Sequence, residues 1–461
     1  MRLTVIGCGY LGAVHAAAMA DLGHHVLGVE TDPARLALLA RGQAPFYEPG
    51  LDELLRRGAR TGRLRYTAEL DGAAARADVH FLAVGTPQSP SGRGADLSHL
   101  WRAVDSLAAV LPRCVHPDGM PLVVGKSTVP VGTAQQVADR LAGRALVVWN
   151  PEFLREGMAV ADTLSPDRIV YGLPDEPARA ERARAVLDEV YAPILEAGAP
   201  RLTMGYQTAE LVKTAANAFL ATKISFINAM SALCAATGAD VTVLADAIGR
   251  DARIGPHFLR AGLGFGGGCL PKDLRGLEQR AAELGANGLA SFLGRVDSIN
   301  RGQRDRVTQM ALEALGPDAA GRAVTILGIT FKPDSDDLRD SPVLEVALRL
   351  ADAGAVVTVH DPRGLAGLRR LHPVLRTQPD ALRALEGAEL VILGTEWKEL
   401  TDLDPEAAAA RVARPVLIDA RNALAPSRWT AAGWDYRGIG RPSGPRRSAP
   451  RHRALAGTMV G

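Results

Sequence analysis

The chain has 461 residues, 47% hydrophobic and 23% charged, the composition of an ordinary globular protein too long for a single core. With 53 basic against 51 acidic side chains, the formal charge of +2 gives no support for nucleic-acid or membrane-surface binding through bulk electrostatics. Four scattered cysteines, Cys8, Cys114, Cys234 and Cys269, lack CxxC spacing, which argues against a disulfide framework or a zinc site and for a reducing compartment.

The N-terminus opens at once into an apolar strand at residues 3–6, a glycine turn and a helix to about residue 22. It shows no basic segment followed by an apolar run and cleavage site. No apolar run reaches the ~20 residues that span a bilayer, so the chain reads as cytoplasmic. Further strands are expected at 26–30, 80–84, 122–125 and 146–149, separated by helical segments, the pattern of a parallel sheet with right-handed crossovers. Residues 203 to about 300 then change character, with long helical stretches (207–237 above all) and almost no strand signal. Alternation returns with strands at 323–329, 356–360, 390–394 and 415–419 and a helix at 343–353. The expected division is 1–199, a helical 200–305, a second α/β unit over 306–442 and a disordered tail at 443–461, rich in Arg, Pro and Gly.

Gly7, Gly9 and Gly12 form G-x-G-x-x-G between the first strand and the first helix. In that context the glycines allow a tight turn, close backbone approach to a pyrophosphate and close packing of the helix, whose N-terminus faces the phosphates. Glu30 ends the second strand about 20 residues on, where an acid accepts hydrogen bonds from a ribose 2′-hydroxyl and repels a 2′-phosphate. The cofactor expected is therefore NAD rather than NADP, although Arg35 nearby would suit a phosphate. The ten histidines show no ligand spacing, and no metal site is expected.

The densest signal is Gly262-Leu263-Gly264-Phe265-Gly266-Gly267-Gly268-Cys269-Leu270-Pro271-Lys272-Asp273. Proline suits the first turn of a helix, so Cys269 is expected just before a helix N-terminus, where the helix dipole and Lys272 would stabilise a thiolate. Asp273, four residues on, would face the same cavity as a proton acceptor. Most lone cysteines are inert core residues, but few follow such a glycine run into a proline-started helix. Lys213 and Asn217, four apart, interrupt an apolar helical run and share one face, a plausible oxyanion site.

Together these segments resemble one family, the UDP-glucose/GDP-mannose dehydrogenases, over nearly the whole chain. The resemblance is carried by Gly7-Cys8-Gly9-Tyr10-Leu11-Gly12, Tyr47-Glu48-Pro49-Gly50-Leu51, Gly85-Thr86-Pro87 and Ser127-Thr128-Val129-Pro130. It continues through Asn150-Pro151-Glu152-Phe153-Leu154-Arg155-Glu156-Gly157, the cysteine loop and Gly328-Ile329-Thr330-Phe331-Lys332-Pro333. It implies an α/β fold of two Rossmann-like, doubly wound parallel-sheet domains joined by a central helical region. By the same resemblance Cys269 is the nucleophile, Asp273 holds water or acts as base, Lys213 and Asn217 stabilise oxyanions, and Glu152 with Thr128 serves thioester hydrolysis. NAD would be held by Gly7, Gly9, Tyr10, Leu11, Gly12, Glu30, Arg35, Thr86, Thr128, Glu156 and Arg339. The nucleotide sugar would meet Phe153, Leu154, Phe258, Arg260, Gly266, Phe331, Lys332 and Arg421, with Arg253 lent across a homodimer interface.

Two positions depart from the family's pattern: Gly268 stands where Ser is usual before the cysteine, and Glu30 where Asp is commoner. The segment from Asn150 through Pro166-Asp167-Arg168-Ile169-Val170 looks more like the UDP-glucose branch than the GDP-mannose branch, which is the alternative. A two-electron 3-hydroxyacid dehydrogenase would need neither the cysteine nor the second α/β unit. A non-catalytic nucleotide-sugar sensor would have no use for the full set of Cys269, Lys213, Asn217, Asp273 and Glu152.

Overall fold

Short runs of β-branched and aliphatic residues, buried on both faces, form the inner strands, as a sheet covered by helices on both sides requires. In the computed structural model, which describes residues 1–70, 76–90, 94–112 and 119–442, they assemble into two sheets. The first contains β1 (Arg2–Ile6), β2 (His25–Val29), β3 (Leu64–Thr67), β4 (Val79–Leu82), β5 (Leu122–Gly125), β6 (Leu146–Trp149), β7 (Ile169–Leu173) and β8 (Arg201–Gly205), in the order β3-β2-β1-β4-β5-β6-β7-β8. The order reverses beside β1, so a crevice opens at the carboxyl ends of β1 and β4, where such folds bind their ligands. The second contains β9 (Ala323–Leu327), β10 (Val356–His360), β11 (Arg376–Thr377), β12 (Leu390–Leu393), β13 (Val416–Asp419) and β14 (Asp435–Gly438), in the order β11-β10-β9-β12-β13-β14. Alternate residues of each strand feed separate cores: Val124 packs on one face of the first sheet and Val123 on the other, as do Ile392 and Val391 in the second.

The first sheet departs from the all-parallel expectation at one place: β7 runs antiparallel to β6, and β7 and β8 then pair in parallel. The connection between β6 and β7 carries only the six-residue helix Ala159–Leu164. β8 lies beyond residue 199, and the helix Asn287–Leu315 runs unbroken across residue 305 into the second α/β unit. Cys114 and the 443–461 tail lie outside the described residues.

Between the sheets lies the 32-residue helix Tyr206–Thr237, packed on the helices Leu270–Glu283 and Asn287–Leu315. By length and composition it could cross a membrane, contrary to the expectation that no segment is apolar enough. Its many alanines raise the average without forming an unbroken apolar run. Its buried positions include Glu210, Lys213, Asn217, Asn228 and Ser231, which turn toward neighbouring protein.

Candidate active site

One cleft of about 2170 Å³ collects residues from both α/β units and the central helices. At one end is the glycine turn. The first helix, Tyr10–Asp21, starts at Gly9 without a side-chain cap, so its first N–H groups remain free for an anion. A Cβ on Gly12 would lie 1.9 Å from the carbonyl oxygen of Gly7, so the helix can press on the turn only as glycine. A Cβ on Gly9 would meet nothing within 4 Å, because Gly9 faces the open cleft. The residues present thus form a cradle for a pyrophosphate. Glu30 is buried there, accepting the Asp32 backbone N–H at 2.8 Å and pairing with the Arg35 guanidinium at 3.0 Å. Arg35 is therefore engaged by the acid that follows β2. Tyr10 and Leu11 line the same end, and the Thr86 hydroxyl donates to the Thr128 carbonyl at 2.8 Å, holding both residues on the wall.

The Tyr10 hydroxyl donates to Glu48, whose carboxylate also accepts the backbone N–H groups of Gly157 and Ala159, each at 2.7 Å. Glu48 was given no role from sequence, though its Tyr-Glu-Pro-Gly motif stood out. It ties the cofactor turn to the segment carrying Glu152 and Glu156.

Cys269 is the N-cap of the helix Leu270–Glu283, with Pro271 in the first turn, as the sequence implied. Its thiol opens onto the cleft yet lies deep in the protein, reachable by a ligand but poorly solvated. Burial, reinforced by Asp273 and Glu152 and opposed by Lys213, pushes its pKa up to about 12. Lys272, expected to help hold a thiolate, is bound to Asp273 at 2.7 Å, and burial raises the thiol where the helix N-terminus would lower it. A Cβ at Gly268 would sit 2.5 Å from the Arg339 guanidinium, so the departure from Ser is matched by an arginine packed over the loop.

Around the thiol stand the other expected residues. Lys213 pairs with Glu152 at 3.2 Å, and the Asn217 amide donates to Asp273 at 2.7 Å, all four lying on or just behind the cleft wall. Although burial opposes it, Glu152, Asp273 and Cys269 together push the Lys213 ammonium up, so it stays charged at neutral pH. Glu152 also accepts the Leu154 N–H at 2.7 Å. The Phe153 ring lies 4.0 Å below the Arg168 guanidinium and 5.6 Å from the Lys213 ammonium.

The second α/β unit adds Phe331, Lys332 and Arg339. Lys332 donates to the Glu156 carbonyl, and Arg339 lies 3.4 Å from the Glu156 carboxylate while pairing with Asp337. Burial and Asp337, opposed by Arg339 and Lys332, push Glu156 up to about 7. Gly266, Leu154 and Phe258 also line the cleft, Phe258 with a φ of 63°. Three expected substrate residues do not. Arg421 is spent on the carbonyls of Gly394, Gly264 and Phe331, at 2.7, 3.0 and 3.0 Å, and so braces the cysteine loop rather than facing the cavity. Arg260 points to Glu396 at 3.8 Å, and Arg253 lies on the surface paired with Asp251. Among the described residues no group of three His, Cys, Asp or Glu could hold a metal.

Comparison with known proteins identifies the family. The NAD binding, central and UDP binding domains of the UDP-glucose/GDP-mannose dehydrogenase family match residues 1–195, 207–302 and 325–426. The chain is a member of that family, and its cofactor is NAD. It is 40% identical to a UDP-glucose 6-dehydrogenase of Rhizobium meliloti, covering 96% of this chain and 100% of that one. A UDP-glucose 6-dehydrogenase of Pseudomonas aeruginosa is 41% identical, covering 96% and 98%. Among solved structures it is similar to a UDP-glucose dehydrogenase from Pyrobaculum islandicum, with a TM-score of 0.85, 38% identity and coverage of 95% and 98%. A UDP-D-ManNAc dehydrogenase from Pyrococcus horikoshii gives a TM-score of 0.81 at 26% identity, covering 96% and 100%.

Proposed function

We propose that this chain oxidises the primary alcohol of UDP-glucose to the carboxylate of UDP-glucuronate, with Cys269 holding the carbon between two oxidations. The observation that carries this is the thiol of Cys269 sharing one cleft with the dinucleotide turn and with Lys213, Asn217 and Glu152, Asp273 standing directly behind Asn217. UDP-glucose is favoured because relatives bearing that substrate in their names are 40% and 41% identical over nearly full length. Bound NAD supplies the hydride acceptor, needed twice per substrate.

Each residue then has a task that its position permits. Lys213 and Asn217 stabilise the alkoxide from which the first hydride leaves, while Asp273 manages its proton. The Cys269 sulfur adds to the aldehyde carbon and retains it as a thiohemiacetal while the cofactor is exchanged. Loss of the second hydride leaves a thioester, which water cleaves with Glu152 as base and Thr128 on the same wall. Phe153, Leu154, Gly266, Phe258, Phe331 and Lys332 bind the nucleotide sugar from the cleft. Arg253, on the surface of one chain, serves a second copy's site in a homodimer. A cytoplasmic setting keeps such a thiol reduced. The test is NADH yield from UDP-glucose, GDP-mannose and UDP-N-acetylmannosamine offered separately. Two NADH per UDP-glucose, abolished in Cys269→Ser, supports the reading; turnover of GDP-mannose alone replaces the substrate, and none at all favours a sensor.

A further inference from the structure

Lys126 follows β5 directly and has no task in the reaction as described. Its side chain is buried, it borders the cleft, and its ammonium donates to Asn150 Oδ1 at 3.0 Å and to the Tyr191 hydroxyl at 3.4 Å. The same ammonium lies 5.8 Å from the centre of the Tyr191 ring. Among the described residues no carboxylate stands within ion-pair distance of it. A buried ammonium without a counter-ion is costly, and burial pushes its pKa down to about 8. An apolar side chain would fill the same volume at lower cost, so the amine must be explained by what it holds.

What it holds is the start of the turn bearing Glu152. Gly125 and Trp149 are register partners at the ends of β5 and β6, so Lys126 and Asn150 leave the sheet side by side. The Asn150 side chain is fixed on every side: its oxygen takes Lys126 and, at 2.8 Å, Tyr191, and its amide donates to the Val170 carbonyl at 2.8 Å. Two residues on, Glu152 is gripped from the opposite side by Lys213. The charged and titratable groups around Lys126 are Glu152, which favours its proton, Lys213 on the central helix, which opposes it, and His15 on the first helix, which burial keeps neutral.

We infer that Lys126 is a positioning residue for the hydrolytic half of the reaction, clamping Asn150 so that the turn after β6 aims Glu152 at the thioester. This rests on the reading of Glu152 as the hydrolytic base. In that step a water O–H proton passes to Glu152, the water oxygen bonds to the thioester carbon, and the C–S bond breaks with sulfur leaving as thiolate. The proton acceptor that the turn supplies is needed only for hydrolysis, so loss of the clamp falls chiefly on that step.

The test uses the full chain with UDP-glucose and NAD, acid-quenched at intervals for intact-mass measurement. Lys126→Met is expected to lower kcat ~10- to 100-fold, the scale of a misaimed group, while an acyl adduct on Cys269 accumulates and NAD affinity changes by less than ~2-fold. Lys126→Arg should recover part of the rate and shrink the adduct, and Tyr191→Phe, which leaves the ammonium in place, should accumulate a smaller adduct. Lower turnover in Lys126→Met without adduct, while Glu152→Gln accumulates one, overturns the role of Lys126 and leaves the proposed function standing. No adduct in Glu152→Gln overturns the reading of Glu152 itself, and this inference with it.

Discussion

A cysteine thiol pushed up to about 12 is almost wholly protonated at neutral pH, which sets how Cys269 must react. It enters as a neutral thiol beside Asp273 and Lys213, so addition to an aldehyde passes the thiol proton, by way of Asp273, to the carbonyl oxygen as the S–C bond forms. It is also poorly reactive to other electrophiles until substrate arrives. Because the acids raise its pKa, deleting one must lower it. Asp273→Asn removes the strongest of them, and each unit of pKa lost raises the thiolate fraction about tenfold well below the pKa. Iodoacetamide alkylation of Cys269, read by mass, is therefore expected to climb through pH 10 without a plateau in the parent protein. In Asp273→Asn it should be faster at pH 8 and level off at lower pH. A parent profile already flat by pH 9 would show that the helix dipole wins after all.

The glycine turn shows how one element separates folding from binding. Gly9 sits at φ −66° and ψ −158°, a conformation any residue adopts, with open cleft where a Cβ would point. Gly12 has a carbonyl oxygen 1.9 Å from that point. Gly9→Ala should leave stability within ~0.5 kcal/mol by urea denaturation while weakening NAD binding about tenfold or more, since the methyl takes the pyrophosphate's place. Gly12→Ala should cost ~2 kcal/mol or more, because the helix must lift off the turn, and should lose NAD with it. Equal stability of the two variants would contradict the packing described. This element was legible in sequence because its chemistry is local: turn, helix start and Glu30 lie within 30 residues of chain. Cys269 as an N-cap was legible for the same reason, through Pro271. What the sequence could not reveal depended on distant partners: the antiparallel β7, the burial of Lys126 against Asn150 and Tyr191, and the capture of Arg421 by three carbonyls. The family resemblance implies a contact between Arg421 and the nucleotide sugar, yet nothing in its neighbours along the chain shows where those carbonyls lie.

At the scale of the molecule, contacts run across the cleft from one α/β unit to the other. Lys332, Ser335 and Arg339 meet Glu156, Asp336 accepts the Tyr47 N–H at 3.2 Å, and Arg363 lies 4.4 Å from the Tyr47 ring centre. The central helix buries Lys213, Asn217, Asn228 and Ser231 and leaves several large apolar side chains outward. Phe219, Phe226 and Leu233 recur every seven residues along it and are 67%, 51% and 56% exposed, a stripe that a second copy's helix would cover. Phe226 and Leu233 are the residues to test, since Phe219 also borders the cleft. The double substitution Phe226→Asp and Leu233→Asp places two charges on the stripe and touches neither the cofactor turn nor the Cys269 surroundings. It should convert a dimer to a monomer in sedimentation velocity with the NAD affinity unchanged. If Arg253 completes a neighbouring copy's site, the monomer should also show a KM for UDP-glucose raised at least about tenfold, matching that of Arg253→Ala in the dimer. A monomer with an unaltered KM would confine Arg253 to its own surface, and a variant still dimeric would move the interface away from this helix.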